Sequence, residues 1–333
     1  MKIYKDKDAN LKYLKEKTVS ILGYGSQGRA QALSLKDSGQ KVIIGLRAKS
    51  KNKNLAQKDG FEVLSIEKAV QKGDIVCFLI PDHTQPEVFT KIKKYLSPGK
   101  TLLFAHAFSI YFKLIHPPKN VDVILVAPHS PGKILRENYE NKIGVTGFVA
   151  VYQDYSGNAK KMALAYAKAI GLTKAGVFWT IFKDEAIGDI FGEQTILCGG
   201  LAELLKSGFE VLTQAGIPKE NAYLECVHQL DFIVNLIKSY GIAGMYGRIS
   251  KTAEFGSYLA GKRVIDDKVK ENMRKVLAEI EKGGFAKKWI KEYQSGMKNY
   301  LKLKKEIFSH PLEKTGRKLR QKLLTNFSSR TTL

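Results

Sequence analysis

Several features are scarce in this sequence of 333 residues, and each scarcity excludes a class of protein. The three cysteines, Cys77, Cys198 and Cys226, are odd in number, widely spaced and set among apolar neighbours, which favours packed thiols over a disulfide framework or a zinc site. Without a stretch of about 18 consecutive apolar residues, no transmembrane helix is predicted. Residues 1–17 carry charges where a signal peptide needs an apolar core. We therefore expect a soluble, cytoplasmic protein that does not bind membranes.

Acidic residues are scarce relative to basic ones. Lys and Arg total 55 and Asp and Glu total 32, so the formal net charge is +23. This excess favours anionic partners, which include phosphorylated cofactors, acidic metabolites and nucleic acids, without choosing among them. With 44% hydrophobic residues and only 9 prolines the composition is globular, and the length suits about two domains of roughly 150 residues.

Short, apolar, β-rich runs alternate with helix-length segments in the first half of the chain. Beyond residue 183 the pattern changes to long helices with apolar residues three and four positions apart. This order predicts an α/β fold: an N-terminal Rossmann-like domain with a parallel sheet, residues 1–182, followed by an all-helical domain, residues 183–333. The predicted strands are residues 19–22, 41–46, 74–80, 101–106, 121–128 and 147–152.

A glycine-rich turn follows the first predicted strand and precedes a predicted helix over residues 29–37. Its G-x-G-x-x-G spacing, in this strand–turn–helix context, is typical of a dinucleotide site, because the glycines let a pyrophosphate approach backbone amides at a helix N-terminus. The alternative is a glycine turn without a ligand. The candidate cofactor contacts here are Gly23, Tyr24, Gly25, Ser26, Gln27 and Gly28.

The end of the second predicted strand indicates which dinucleotide is bound. A free ribose 2′-hydroxyl would favour a carboxylate at this point, yet residues 41–58 hold six basic residues and no acidic one. A 2′-phosphate fits better, with Arg47 as its clamp and Ser50 and Asn52 as hydrogen-bond donors. We therefore predict NADP(H), although at least one of the neighbouring lysines should belong to a solvated face.

Two carboxylates lie four residues apart in an otherwise almost uncharged helical segment, namely Asp189 and Glu193. On one helix face such a pair repels unless a cation lies between its members, and a hard divalent metal would supply that cation. Glu225, in another mostly apolar helix, is a third candidate. The alternative is that these carboxylates are merely solvated. His106 and His129 follow strands and should face the ligand crevice of a parallel sheet.

At this point the sequence resembles the ketol-acid reductoisomerases of the short, class I type. The resemblance spans nearly the whole chain, and the most specific motifs are DIFGEQ and SKTAEFG. The motifs that carry it are LGYGSQG at 22–28, GLR at 45–47, PDHTQ at 81–85, FAHAF at 104–108, PPKNVDVILVAPHSPG at 117–132, DIFGEQTILCGG at 189–200, YLECVHQL at 223–230, ISKTAEFG at 249–256 and GGFAKKWIKE at 283–292.

The resemblance implies an NADPH- and Mg²⁺-dependent enzyme of valine and isoleucine biosynthesis. Members convert 2-acetolactate or 2-aceto-2-hydroxybutyrate by an alkyl shift and then reduce the resulting 2-oxo acid. It further implies a homodimer, or a larger homo-oligomer, whose subunits share active sites, with Glu225 and Ser250 coming from the partner. The implied residues are Asp189, bridging two Mg²⁺ ions, Glu193 at the first ion, Glu225 and Gln229 at the second, Ser250 on the substrate carboxylate, His106, His129 and Gln229 in catalysis, and Asp82, Gln85 and Gly132 at the cofactor.

The sequence also departs from the family pattern. His129 replaces a lysine and Gln229 replaces a second-metal carboxylate, while Ala107 and Lys251 replace a glycine and an asparagine. An amide neither takes up a proton near neutral pH nor binds Mg²⁺ as a carboxylate does. Two hypotheses follow: a working reductoisomerase, or a paralogue that reduces a 2-oxo acid without the alkyl shift or is inactive. A basic nucleic-acid-binding protein is a third hypothesis, which the scattered basic residues and the lack of a recognition motif disfavour.

Overall fold

A nine-stranded sheet with a hydrophobic cluster on each face forms the first half of the protein, in a computed structural model that describes residues 2–323. The central strands are rich in Val, Ile and Leu, because helices cover both faces and leave no exposed side. The strands are β1 (Ile3–Tyr4), β2 (Thr18–Leu22), β3 (Lys41–Gly45), β4 (Glu62–Leu64), β5 (Ile75–Phe78), β6 (Thr101–Phe104), β7 (Asp122–Pro128), β8 (Gly147–Gln153) and β9 (Val177–Trp179).

The strand order defines where a ligand crevice opens. Across the sheet the order is β1-β9-β8-β7-β6-β5-β2-β3-β4, and strands β2 to β7 all run parallel. From β2 the chain proceeds outward through β3 and β4, and then crosses to the other side of β2 to form β5. The topological switch point therefore lies between β2 and β5, and their carboxyl ends border the crevice.

The six predicted strands are all present, and the sheet differs from the prediction at its margins. β8 runs antiparallel to β7, because Gly147 starts opposite Pro128, where β7 ends. β1, β4 and β9 are only two or three residues long and carry too little pattern to be predicted. The predicted α/β class, with a helical region after the sheet, is confirmed.

Helices fill the connections between strands and form nearly all of the second half. Several begin at a polar side chain that caps them; Ser250, for instance, accepts a hydrogen bond from the Ala253 backbone N–H at 3.1 Å. The helices are α1 (Ser26–Asp37), α2 (Lys53–Lys58), α3 (Ile66–Lys72), α4 (Gln85–Ile92), α5 (Phe108–Tyr111), α6 (Gly132–Glu140), α7 (Ala159–Ala169), α8 (Leu172–Ala175), α9 (Phe182–Gly192), α10 (Gly199–Gln214), α11 (Lys219–Tyr223), α12 (Leu230–Tyr246), α13 (Lys251–Val264), α14 (Asp267–Glu281), α15 (Gly284–Gln294), α16 (Lys298–Ser309) and α17 (Pro311–Leu323).

The described residues divide into two compact units, the first ending at Gly188 and the second beginning at Asp189. The first unit contains the sheet and both large hydrophobic clusters. The second unit is helical and has a small core around Phe209, Ala222 and Tyr223. Among residues 2–323 no helix is both long and apolar enough to cross a membrane.

Candidate functional site

The glycine loop lies at the switch point and is shaped by close backbone contacts. Gly23 has φ +96°, and a Cβ placed there would lie 2.6 Å from the Leu79 carbonyl oxygen at the end of β5. A Cβ on Gly28 would lie 2.5 Å from the Gly23 carbonyl oxygen. Gly25, the N-cap of α1, has nothing within 4 Å of the corresponding position. The loop is therefore packed on its inner side and open at the helix N-terminus, where a pyrophosphate would bind.

The loop after β3 is tied to the glycine loop. The Asn52 side-chain amide donates to the Tyr24 carbonyl oxygen at 2.7 Å, and the Asn52 backbone N–H donates to Ser50 Oγ at 3.4 Å. Asn52 thus helps to orient the loop. One of its two side-chain amide hydrogens is engaged in this contact, so only the other can be donated to a cofactor. Arg47 is exposed at the start of this loop.

The buried side chain of Tyr24, a residue of the glycine loop, is held by two charged residues. The Tyr24 hydroxyl donates to Asp59 Oδ2 at 2.7 Å, and Arg29 Nε donates to the same oxygen at 2.7 Å. Burial and the Asp59 carboxylate raise the pKa of Tyr24 well above its ordinary value. Tyr24 therefore stays protonated and acts as a structural donor.

Two further loops border the crevice and leave polar atoms available. Gln85 is buried, and its amide donates to the Ile80 carbonyl oxygen at 3.1 Å and to Asp82 Oδ1 at 2.9 Å. Gly132 must lack a side chain, because a Cβ would lie 2.2 Å from the Ser26 carbonyl oxygen. Within residues 2–323, the buried atoms Gln85 Oε1 and Ser130 Oγ have no hydrogen-bond partner. Such orphaned atoms beside an open helix N-terminus fit a bound polar cofactor.

His106 is paired with a buried carboxylate that the sequence analysis did not single out. Its Nδ1 lies 3.1 Å from both carboxylate oxygens of Glu185, and Glu185 Oε2 also accepts from the Ala107 backbone N–H at 2.7 Å. The Glu185 side chain is only 3% exposed. In its neutral form, His106 therefore carries the hydrogen on Nδ1 and the lone pair on Nε2. Glu185 lies one helical turn before Asp189, and that spacing is the signal from which it could have been predicted.

His129 lies in the loop after β7 with a defined ring orientation. Its Nδ1 is 3.2 Å from Thr146 Oγ1, and its ring centroid is 4.3 Å from that of Phe148 in an edge arrangement. Desolvation lowers the pKa of His129, while the nearby Glu185 carboxylate acts in the opposite direction. Since the ordinary histidine pKa is already near 6.5, His129 is mainly neutral at pH 7.

The predicted metal residues all belong to the helical unit, where two helices are interrupted by wider turns. Asp189 is in α9, and Glu193 begins a π-helical segment, Glu193–Leu197, that follows it. Glu225 lies in a second π-helical segment, Leu224–His228, and accepts a hydrogen bond from the Gln229 side-chain amide at 3.0 Å. Within residues 2–323, no group of three or more His, Cys, Asp or Glu side chains is close enough to hold a metal ion.

The candidate substrate residue Ser250 is the N-cap of α13, where its oxygen accepts a backbone hydrogen bond and its hydroxyl hydrogen remains available as a donor. The adjoining Lys251 pairs with Glu254 at 2.7 Å. This ion pair lowers the pKa of Glu254. Lys251 therefore adds a positive charge next to Ser250 that Glu254 balances.

Comparison with known proteins assigns both halves of the chain to one family. A family model described as the NADPH-binding domain of acetohydroxy acid isomeroreductase matches residues 13–176, and one described as the C-terminal domain of ketol-acid reductoisomerase matches residues 182–324. The chain belongs to the ketol-acid reductoisomerase family. The resemblance predicted from the sequence motifs is thereby confirmed, together with an oxidoreductase and isomerase whose N-terminal half is an NADPH-binding domain.

Individual ketol-acid reductoisomerases match over nearly the full length. The NADP(+) ketol-acid reductoisomerase of Petrotoga mobilis is 52% identical over 316 residues, which cover 95% of this chain and 96% of that protein. The structure of an NADH-preferring ketol-acid reductoisomerase from an uncultured archean has a TM-score of 0.93 at 45% identity, covering 96% of this chain and 99% of that chain. A semialdehyde dehydrogenase NAD-binding protein from Cupriavidus necator, at 19% identity and TM-score 0.56 over 78% of this chain and 99% of that chain, shares only the fold.

For this reductoisomerase chain, the fold brings the residues predicted at the cofactor to one edge of the sheet. Residues 23–28, residues 47–52, Gln85 and Gly132 all follow the carboxyl ends of parallel strands. His106 and His129 follow the carboxyl ends of the next two parallel strands, β6 and β7. The predicted metal and substrate residues form a separate set in the helical unit.

Proposed function

We propose that the chain converts 2-acetolactate, or 2-aceto-2-hydroxybutyrate, to the corresponding 2,3-dihydroxy-3-methyl acid by alkyl migration followed by reduction, using NADPH and Mg²⁺. The observation that carries this proposal is the match of both family domains to a chain that keeps an open glycine loop together with the Asp189 and Glu193 pair. The product is a precursor of valine or isoleucine.

NADPH would be held by the open N-terminus of α1, by Arg47 and by the loops containing Gln85 and Gly132. When bound, it supplies the hydride for the reduction. Ser50 and the lysines near Arg47 add donors and positive charge for a 2′-phosphate. The excess of basic residues over acidic ones in this stretch supports NADPH over NADH.

Mg²⁺ fits the donor set of the helical unit, since Asp189, Glu193 and Glu225 offer the carboxylate oxygens that this ion prefers. When bound, it polarises oxygen atoms of the substrate as a Lewis acid. Asp189 and Glu193 are both exposed in the single chain. Gln229 contributes at most an amide oxygen, which makes the second metal position weaker than a pair of carboxylates would.

The metal site would be completed by a second copy of the chain. Within residues 2–323, one chain assembles no group of three metal-ligating side chains, although α9 and the segment Leu224–His228 each carry carboxylates. Helix α12 also exposes a row of large apolar side chains, which would be unfavourable in a monomer. They are Phe232, Ile233, Val234, Ile237, Tyr240 and Ile242. A homodimer that buries α12 and shares Glu225 and Ser250 between subunits satisfies both observations.

The residues at the crevice would orient the substrate and handle protons. Glu185 holds the Nδ1 hydrogen of His106, so that His106 Nε2 can accept a hydrogen bond or a proton from a substrate hydroxyl. Ser250 would donate to the substrate carboxylate. His129, mainly neutral at pH 7, would act as a polar contact rather than as a fixed positive charge.

Steady-state rates test the proposal directly. The purified protein, with Mg²⁺ and NADPH, should oxidise NADPH when given 2-acetolactate and also when given 3-hydroxy-3-methyl-2-oxobutyrate, the intermediate after migration. Turnover of the second compound without turnover of the first would overturn the proposal. It would instead support a reductase that has lost alkyl migration, which the hydrogen bond between Gln229 and Glu225 favours as the second candidate.

Restoring the family residues at two positions should increase migration. We expect Gln229→Glu combined with His129→Lys to raise turnover of 2-acetolactate about tenfold or more, because a carboxylate ligand and a charged amine each stabilise developing charge. Turnover of 3-hydroxy-3-methyl-2-oxobutyrate should change less, since it bypasses migration. Lys251→Asn is the comparison variant, because it also restores a family residue but at a position for which no role in proton transfer or metal binding is proposed. An unchanged 2-acetolactate rate in the double variant would show that these two departures do not limit the enzyme.

The exposed Arg47 should determine the choice between the two nicotinamide cofactors. We expect Arg47→Asp to raise the NADPH dissociation constant about tenfold or more, because a charge-assisted hydrogen bond is replaced by repulsion. The NADH dissociation constant should change little. Fluorescence titration with both cofactors gives the two constants, and Lys58→Asp, at an exposed site on α2, is the matched control. An equal loss for NADPH and NADH would contradict a 2′-phosphate contact.

A further inference from the structure

A widened helical turn follows the proposed metal ligand Glu193. In Glu193–Leu197 the helix is π-helical, and the Cys198 backbone N–H donates to the Glu193 carbonyl oxygen, five residues earlier, at 3.0 Å. An α-helix would make this bond across four residues, so the turn contains one additional residue. Single π-helical turns of this kind are frequent at functional sites.

Two glycines close this turn, and neither has room for a side chain. A Cβ on Gly199 would lie 2.2 Å from the Gln194 carbonyl oxygen, and a Cβ on Gly200 would lie 1.9 Å from the Thr195 carbonyl oxygen. Both obstacles are backbone atoms of the widened turn itself, so no change of side-chain rotamer can remove them. Neither glycine has a positive φ, and the requirement is therefore for space and not for backbone conformation.

The second π-helical segment shows that this requirement is specific to the first. Leu224–His228 is followed by Gln229, Leu230 and Asp231, which all carry side chains. A widened turn can therefore be closed without glycine. In the first turn, the carbonyl groups of Gln194 and Thr195 point where side chains at positions 199 and 200 would lie.

We propose that Gly199 and Gly200 are positioning residues that keep the Glu193 carboxylate in its metal-binding orientation. This inference rests on the proposed magnesium-dependent function and adds two residues that do not themselves bind the metal. A methyl group at either position must push the carbonyl of Gln194 or Thr195 away. The peptide units that directly follow Glu193 then rotate, and its side chain moves with them. Because metal–ligand distances are restricted to within about 0.2 Å, a small rotation is enough to weaken binding.

Alanine substitutions test this role through metal binding. We expect Gly199→Ala and Gly200→Ala to raise the Mn²⁺ dissociation constant, measured by electron paramagnetic resonance, by about tenfold to a hundredfold, as loss of a supporting residue does at other metal sites. Gly200→Ala should have the larger effect, because its Cβ would approach more closely. The NADPH dissociation constant, measured by fluorescence, should remain that of the wild type. Gly261→Ala is the matched control, since this glycine in α13 has nothing within 4 Å of the Cβ position.

A second variant separates positioning from stability. Deleting Thr195 from the Gly199→Ala/Gly200→Ala protein shortens the widened turn to an α-helical one and removes the steric conflict. We expect this deletion to return the thermal midpoint toward the wild-type value while Mn²⁺ affinity stays low.

Each outcome bears on a different statement. Wild-type Mn²⁺ affinity in the folded alanine variants would overturn the positioning role alone. Loss of NADPH binding together with Mn²⁺ binding in every variant would make the glycines general folding residues and would also overturn it. Wild-type protein that binds NADPH but no Mn²⁺ would overturn the proposed metal-dependent function itself.

Discussion

Replacing Asp189 with asparagine should lower the turnover of 2-acetolactate by about 10³-fold, which corresponds to ~4 kcal/mol of transition-state stabilisation. Asp189 is exposed on α9, one turn before Glu193, and its carboxylate is a proposed Mg²⁺ ligand. Asparagine keeps the size and one oxygen ligand but removes the negative charge. Steady-state kinetics and Mg²⁺ titration calorimetry would give the loss in rate and in metal affinity.

Binding of NADPH should be unchanged in Asp189→Asn, because the glycine loop belongs to the other compact unit. Glu203→Gln is the matched control, as Glu203 is an exposed carboxylate on α10 that pairs with Lys206. A rate within tenfold of the wild type, at saturating Mg²⁺, would show that Asp189 is not a metal ligand.

Replacing Glu185 with glutamine should lower turnover by about 10²-fold, although Glu185 is proposed to act through His106. One glutamine oxygen cannot accept from both the His106 Nδ1–H and the Ala107 backbone N–H as the two carboxylate oxygens now do. The imidazole therefore loses its defined tautomer, a change that costs about 10²- to 10⁴-fold in comparable histidine–carboxylate pairs. The expected loss is in kcat, with little change in the NADPH dissociation constant.

A double-mutant cycle tests whether Glu185 acts through His106. In a His106→Ala background, the further change Glu185→Gln should cost almost nothing, because the group that it positions is already absent. Asp184→Asn, an exposed carboxylate beside it on α9, is the matched control. A full additional loss in the double mutant would mean that Glu185 contacts the substrate or a metal directly.

The position of the glycine loop was predicted because its signals are local. A glycine motif between a strand and a helix requires only neighbouring residues, and the structure places Gly23, Gly25 and Gly28 at the switch point. The role of Asn52 as a hydrogen-bond donor to a 2′-phosphate stays a prediction. Its amide contacts the Tyr24 carbonyl, a partner 28 residues away that no local pattern identifies.

The histidine–glutamate pair and the glycine pair show the opposite case. Glu185 lies 79 residues from His106 in sequence, and burial of its carboxylate becomes evident only when β6 and α9 pack together. In the sequence, Gly199 and Gly200 are two adjacent small residues with no pattern that indicates a function. Their function depends on carbonyl groups that a widened turn directs toward them, and helical periodicity does not predict such a turn.

Residue order alone was sufficient for the α/β class, the dinucleotide loop, the family and the set of candidate metal carboxylates. These features depend on periodicity, turn chemistry and motif spacing, which are interactions among residues close in sequence. Only the tertiary structure decided four other features. They are the direction of β8, the tautomer of His106, the buried polar atoms without hydrogen-bond partners near the glycine loop, and the two π-helical turns. Each of these features depends on contacts between backbone and side-chain groups that are distant in sequence. Those groups meet only when the chain is packed.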